Sequence, residues 1–544
     1  MTDFDYDWLV IGSGFGGSVS ALRLAQKGYS VAVLECGRRF ADDDFAERTA
    51  DFRRYNWMPH LGGRGVLRLS MFKDVFVLSG CGVGGGSLGY ANTLYRARPG
   101  FYENPQWSQM ADWASELEPF YAEAERMLGV TPYDRDGVAD VLLREYGESI
   151  GAGETYKRTP VGVFLGEPGE TVPDPYFGGE GPERTGCVRC GRCMIGCRYG
   201  AKNTLVKNYL WFAEKLGVRI LADRTVTDIR PLGDGSGADG YEVTHQRSGA
   251  LLRHGRASAR ARGVIVAAGA LGTNRLLQRC KLNGSLPQLS DRLGHTVRTN
   301  SEAIISVTAP EGSEWDFSDS VAITSSVHTD PATHIEVVTY GDGGDSQGLL
   351  RQLMVTAGGR GTRPLHFLLA VARHPRQALG AFKIRGMSRH TIILLVMQSL
   401  DNSMRLKVKR RLPGGAVMLT TEQDPLHPNP DSIPAAYDAA RWFAKRVGGT
   451  AYSGVTEAVL GIPLTAHILG GAVIGSGPEN GVIDSRHRAF GYENLLVCDG
   501  AAVPANVGAN PSLTITALAE RAMTFVGAKN DQEASSAVSQ TRKL

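Results

Sequence analysis

No stretch of this 544-residue chain is apolar for long enough to cross a bilayer; even TIILLVMQSL (391–400) falls well short. The N-terminus, MTDFDYDWLVIGSG, lacks the basic region and apolar core of a secretory signal and passes from acidic residues directly into a strand pattern. Charge of one sign is also missing. A net charge of +3 gives no global signature of nucleic-acid binding. Cysteine is scarce, with 8 in the whole chain; in a cytoplasmic setting they are expected to be reduced, and a tight group of them suggests metal more than disulfides. Tandem repeats are absent. These absences make the cytoplasm the default expectation. The hydrophobic fraction of 42% and the charged fraction of 21% are those of an ordinary globular protein. The length allows about three to four domain-sized units, which need not be continuous in sequence.

What is present begins with DYDWLVIGSGFGGSVSALRLAQKGYSVAVLE, which reads as strand, glycine turn, helix and strand. Gly12, Gly14 and Gly17 form G-x-G-x-x-G. The first allows a tight turn, the second lets backbone N–H groups approach a pyrophosphate, and the third lets helix and strand pack closely. Glu35 ends the second strand, where a carboxylate accepts hydrogen bonds from ribose hydroxyls and repels a 2′-phosphate. The expectation is a dinucleotide, NAD or FAD, with NADP disfavoured. A second glycine-rich stretch, LSGCGVGGGSLGYANTL (78–94), would let backbone lie against a flat or anionic ligand. ARGVIVAAGALGTNRLLQ (261–278) and NLLVCDGAAVPANVGANPSLTITALAERAM (494–523) each read as a strand followed by a turn and a helix.

Together VIGSGFGG, GVGGGSLGYAN, AAGALGTNRLL, AHILGG and DGAAVPANVGANPSLTITALAER resemble the glucose–methanol–choline (GMC) flavoprotein oxidoreductases, in particular the bacterial cholesterol oxidase-like branch. The likeness is densest over 7–40, 75–100 and 460–525, and loose over 300–455. It implies an α/β fold, with a Rossmann-like FAD-binding domain interleaved with an α+β substrate domain built on an antiparallel sheet. The boundaries implied are 1–100, 185–299 and 456–529 for FAD, with a Cys-rich insertion at 187–197. Residues 101–184 and 300–455 would form the substrate and lid regions, and 530–544 a disordered tail. By resemblance, Gly12, Gly14, Gly17 and Glu35 hold the ADP half of FAD, and the Val226 backbone meets the adenine. Gly84, Gly85, Ser87 and Asn92 approach the flavin, while Asp499 and Gly500 lie at the pyrophosphate and ribityl chain. His467 and Asn510 face the flavin from the substrate side. An imidazole can take the proton of an alcohol, and an amide can hold its oxygen. Steroid oxidases of this branch also shift a double bond with a carboxylate base. Glu336, in THIEVVTY (333–340), is the candidate, against the plainer reading of a solvent-facing or paired strand acid.

The function implied is oxidation of a secondary alcohol on a bulky apolar substrate, a 3-hydroxysteroid or sterol, by hydride transfer to FAD. Electrons would go to O2, or to a protein or quinone acceptor in an iron–sulfur-linked dehydrogenase of another lipid or sugar alcohol. Rival classes are a non-catalytic flavin electron-transfer protein and a sterol-binding protein. Residues 346–400 contain no Asp or Glu but eight Lys or Arg among leucines and phenylalanines. This pattern fits either peripheral contact at the inner membrane face or a helical lid.

Half of the cysteines fall in CVRCGRCMIGC (187–197), spaced C-x2-C-x2-C-x3-C. Three readings stay open for Cys187, Cys190, Cys193 and Cys197. The spacing is that of a ferredoxin run, giving a 4Fe-4S or 3Fe-4S cluster with Cys197 or a remote residue such as Cys81 as the last ligand. It could instead be a zinc site. It could also be a helical stripe of structural cysteines, although Gly186, Gly191 and Gly196 each cost a helix about 1 kcal/mol.

Overall fold

A computed structural model of the chain describes residues 3–250, 255–411 and 416–530. The polar tail, apart from Asn530, lies outside the described residues. The first unit starts with strand β1 (Tyr6–Ile11), helix α1 (Phe15–Gln26) and strand β2 (Val31–Leu34). Leu9 and Val10 are completely buried, which contributes roughly 1.5–3 kcal/mol per side chain. The chain leaves through α2 (Trp113–Leu128) and α3 (Val138–Ser149). It returns as β3 (Arg219–Leu221), β4 (Arg224–Pro231), β5 (Tyr241–Arg247), β6 (Ala257–Val266) and α4 (Gly269–Asn283). The strand order is β3-β2-β1-β6-β5-β4. Strands β3, β2, β1 and the second half of β6 run parallel, while β5 and β4 turn back as an antiparallel extension.

The second unit is an antiparallel sheet. Its elements are β7 (Ala303–Thr308), β8 (Ile323–His328), β9 (Thr333–Val338), β10 (Arg351–Leu353), α5 (Arg363–Arg373), α6 (Pro375–Gly380), β11 (Thr391–Gln398), α7 (Pro434–Val447) and β12 (Thr450–Gly454). The order is β10-β12-β7-β11-β9-β8, with Lys157–Arg158 at the far edge. The apolar run at 391–400 is therefore the central strand β11. One face of this sheet, with Ile305, Val307, Ile335, Val337 and Leu394, packs on α3 and α7. The other face, with Ile304, Ile323, Val338, Ile393 and Leu395, turns toward the first unit. Because both faces are covered, the alternation of β9 does not separate core from solvent. Glu336 is fully buried, which removes the solvent-facing reading.

The chain then re-enters the first sheet with β13 (Leu495–Val497), which runs parallel to β6, and ends in α8 (Ser512–Thr524). Helix α2, in the stretch expected to belong to the substrate region, packs instead into the dinucleotide core. Its Tyr121 hydroxyl lies 2.9 Å from Thr514 Oγ1 of α8. Helices α5 and α6 expose Leu365, Leu368 and Leu379, with Phe382 just beyond, beside exposed Arg373, Arg376, Lys383 and Arg385. Among the described residues no helix is long and apolar enough to cross a membrane.

Candidate active site

The glycine turn after β1 is built as its sequence demands. Gly12 has φ +103°, and a Cβ on Gly17 would lie 2.0 Å from the Gly12 carbonyl oxygen. Gly16, the residue between, would place a Cβ 1.5 Å from Cys498 O, so α1 lies against the loop that follows β13. Ser13 donates from its N–H (3.0 Å) and its hydroxyl (2.8 Å) to Glu35 Oε2, while Gly37 N donates to Oε1 at 2.7 Å. Burial pushes Glu35 up to about 8, and these donors oppose that rise. Beside it the Glu35 carbonyl accepts from Arg224 N at 2.8 Å. That bond brings β4, with Val226 next to a bulge, to the same end of the sheet.

From this turn a cavity of about 390 Å³ runs between the two units, within the size range of ligand sites. Gly14, Phe15 and Gly16 at the start of α1, Ala267–Gly272 at the start of α4, and Asp499 and Gly500 after β13 line one end. Two helix N-termini thus point their N–H groups into one space, an arrangement suited to a pyrophosphate. Asp499 organises it: Oδ2 accepts from Gly269 N (2.8 Å) and Thr273 Oγ1 (2.6 Å), and Oδ1 from Ala501 N (2.8 Å). Burial raises Asp499 to about 6, against these hydrogen bonds. Gly80, Gly86, Gly89, Tyr90 and Ala91 form the middle of the wall.

Of the 84–92 loop, the expected Gly84, Gly85, Ser87 and Asn92 do not line the cavity; their neighbours do. Gly84 N donates to Ser13 Oγ, and a Cβ on Gly85 would meet Gly14 Cα at 2.5 Å. The Ser87 hydroxyl is committed, donating to Gly84 O (2.7 Å) and accepting from Leu205 N (3.0 Å). These three positions brace the loop and leave Gly86, Gly89, Tyr90 and Ala91 at the wall. Asn92 is buried at φ +56° with both amide atoms unpartnered.

At the other end, His467, Asn510, Pro511 and Ser512 line the cavity beneath the apolar face of the second sheet. His467 Nδ1 is 2.5 Å from Glu302 Oε1, and Ala466 N donates to Glu302 Oε2 at 2.8 Å. Glu302 precedes β7 and was not found in the sequence. Its partner lies 165 positions away and TNSEAII carries no spacing signal. Burial alone would lower His467. The Glu302 charge and hydrogen bond, with the more distant Glu336, outweigh it and raise the imidazole above its ordinary range. Asn510 Nδ2 donates to Glu336 Oε2 at 3.3 Å, and Asn510 Oδ1 and Glu336 Oε1 are buried without partners. Burial lifts Glu336 to about 8, with His467 and Asn510 pulling the other way. Glu336 is not itself in the cavity wall; it stands behind Asn510.

The cysteine run folds into a loop with only one short 3-10 turn, Arg192–Met194, so the helical stripe is ruled out. Its four cysteines line a single small chamber. Cys81 does not join them: its Sγ is 3.6 Å from Cys36 Sγ, and both accept from Arg68 Nη2.

The donor set fits FAD: a buried carboxylate after the second strand, two helix N-termini at a glycine-lined channel, and a histidine–asparagine pair at the channel's far end. Comparison with known proteins agrees. Models of the GMC oxidoreductase family match residues 182–296 and 445–519, and one of an NAD(P)-binding Rossmann-like domain matches 10–61. A cholesterol oxidase from Mycobacterium tuberculosis is 48% identical over 95% of this chain and 90% of its own length. One from Acinetobacter baumannii is 45% identical over 98% and 96%. Pyridoxine 4-oxidase from Mesorbium loti shares the fold, with a TM-score of 0.61 at 15% identity over 95% of this chain and 99% of that one. So does an FAD-dependent oxidoreductase from Chaetomium thermophilum, with a TM-score of 0.58 at 15% identity over 96% and 98%. The glycine turn, the Asp499 cradle and the histidine–asparagine end are thus parts of one flavoenzyme: the chain is an FAD-dependent oxidoreductase acting on CH–OH donors and belongs to the GMC oxidoreductase family.

Proposed function

We propose that this enzyme oxidises the 3-hydroxyl of a sterol or related steroid to the ketone, with O2 as electron acceptor. The observation that carries this reading is the apolar chamber over the polar pair. Ile304, Ile323, Val338, Ile393, Leu395 and Met387 face His467 and Asn510, which suits a rigid hydrocarbon body with one hydroxyl at its end. Cholesterol oxidases at 45–48% identity point the same way.

FAD, when bound, supplies the hydride acceptor. Gly12, Gly14 and Gly17 give its pyrophosphate access to the α1 N-terminus. Glu35 would receive the ribose, Val226 the adenine edge, and Asp499 and Gly500 the ribityl side. Asn510 holds the substrate oxygen through its amide. His467, fixed at Nδ1 by Glu302, offers Nε2 to take the hydroxyl proton as the carbon loses its hydride. The sheet face above excludes water from the exchange.

The test is anaerobic reduction of purified enzyme by cholesterol and by short secondary alcohols, followed by air. The expected result is flavin bleaching by the sterol alone and about one hydrogen peroxide per ketone. Reoxidation without peroxide would overturn O2 as acceptor in favour of a protein or quinone. Bleaching by small alcohols alone would overturn the sterol.

The exposed leucines and arginines of α5 and α6 flank the part of the chain that gives Leu350 and Met387 to the chamber. They are the surface through which the enzyme meets a sterol-bearing membrane. Co-sedimentation with anionic vesicles is expected to fall about tenfold in a Leu368→Asp/Phe382→Asp double variant, since both apolar burial and anionic attraction drive such binding. Equal binding by the variant would remove the membrane role.

A further inference from the structure

Cys187, Cys190, Cys193 and Cys197 surround one chamber whose remaining walls include Val163, Ala201, Lys202 and Ser320. None of the four is in a disulfide. The backbone is forced into a wrap. Arg189 (φ +52°), Gly191 (φ +69°) and Gly196 (φ +118°) are all left-handed. A Cβ on Gly196 would strike the Phe45 ring at 2.2 Å, and one on Gly191 would meet Gly341 Cα at 2.7 Å. The loop is pinned from outside, Gly191 N donating to Ser320 O at 2.7 Å and Ser320 N to Arg189 O at 2.8 Å. Inside it, Arg189 N donates to Cys187 Sγ at 3.4 Å. Cysteines serving only as small apolar side chains would need none of this.

Two further observations define the occupant. Lys202 is 1% exposed, and its ammonium donates to the carbonyls of Cys193 (2.8 Å) and Leu88 (3.0 Å). No carboxylate pairs with it among the described residues. A buried cation costs several kcal/mol without countercharge, so the chamber calls for an anionic occupant. The spacing of the sulfurs then separates the candidates. A tetrahedral zinc site, with Zn–S bonds near 2.3 Å, draws its thiolates to about 3.8 Å from one another. The only trio of metal-ligating side chains within 4.8 Å of one another among the described residues is Glu35, Cys36 and Cys81. No three of the run's sulfurs come that close together, which suits thiolates bound to different corners of a cluster better than thiolates gathered on one metal ion.

We propose that Cys187, Cys190, Cys193 and Cys197 bind a four-iron–four-sulfide cubane, one thiolate to each iron, with Lys202 as the buried countercharge. Cys197 then closes the same cluster, since the chain has one such run and Cys81 lies elsewhere. Met194, inside the run, lines the FAD-substrate cavity, and the Tyr90 ring, in the same wall, lies 4.6 Å from Lys202 Nζ. The cluster would thus be a second redox centre one side chain away from that cavity.

The experiment needs no substrate, so its outcome is independent of the sterol reading. Protein purified anaerobically is expected to contain about four iron and four acid-labile sulfide per chain. It should show a broad visible absorbance beneath the flavin bands and a paramagnetic signal after dithionite. Cys190→Ser should lower iron about tenfold while flavin content and melting temperature stay near wild type, and Cys280→Ser should leave iron unchanged. If Cys190→Ser does not fold, the wild-type protein, stripped by chelator and refilled with ferrous iron and sulfide, should recover the spectrum. Stoichiometric zinc, failure to take up iron and sulfide on refilling, or full iron in a folded Cys190→Ser variant would each overturn the proposal.

Discussion

Replacing His467 with alanine is expected to lower kcat for alcohol oxidation by about two to four orders of magnitude, the usual range for losing a positioned acid–base group. Flavin content should stay unchanged. The residue lines the cavity opposite the cofactor-binding turns and contributes no hydrogen bond to them. Its side chain is 12% exposed, enough to meet a substrate and too little to be a solvated surface group. A rate within threefold of wild type would remove His467 from the chemistry and revive a non-catalytic reading.

The same site sets the direction of the pH dependence. On the proposed reading the base is the neutral imidazole, and Glu302 holds His467 above its ordinary range. Activity should therefore fall on the acid side as pH drops through that raised value. Glu302→Gln keeps the shape but removes the charge. The acid limb of kcat/KM should move to lower pH, and the plateau should fall because Nδ1 is no longer held by a carboxylate. A merely structural Glu302 would change stability and leave the position of the limb alone.

How far the sequence disclosed this site depended on whether the physical constraint was local. Gly17 was legible because the clash that requires it, a Cβ against an oxygen five residues earlier, lies within one strand-turn-helix unit, whereas Gly12 was legible only through the tight turn at φ +103°, the oxygen its Cβ would strike being that of distant Ala267. Glu35 was legible because strand length fixes where the second strand ends. Glu302 was not, since nothing near it in sequence encodes its meeting with His467. The glycine loop was read to within a few residues. Composition does not distinguish a glycine that touches a ligand from one that touches another glycine, as Gly85 does with Gly14. The interleaving of domains came through the family resemblance. The docking of α2 on α8 did not, because an amphipathic face does not name its partner. For the cysteines, spacing gave the candidate ligands, while exclusion of a helix had to come from the backbone.

Glu336→Gln is the change expected to separate two reactions. On the proposed reading, oxidation of the 3-hydroxyl of a sterol with an unconjugated double bond would use His467 and Asn510, while moving the double bond into conjugation would need a base to carry a proton between carbons. Glu336 is the candidate for the second task. It is wholly buried, touches the cavity only through Asn510 Nδ2, and keeps Oε1 without a partner. Its carboxyl sits at about 8 because burial disfavours the charge, which makes it a stronger base once ionised. Glutamine preserves shape and the capacity to accept from Asn510 but cannot take a proton. With cholesterol, the variant should accumulate the unconjugated 3-ketone, with isomerisation down about two or more orders of magnitude and ketone formation within about tenfold of wild type. In the wild-type enzyme, the ratio of conjugated to unconjugated product at early times should rise as pH increases toward 8, because the ionised fraction of Glu336 rises with it. Ultraviolet absorbance of the conjugated enone against total ketone reads both. Conjugated product at an unchanged rate in Glu336→Gln would assign the proton transfer to another group and leave Glu336 as the residue that orients Asn510.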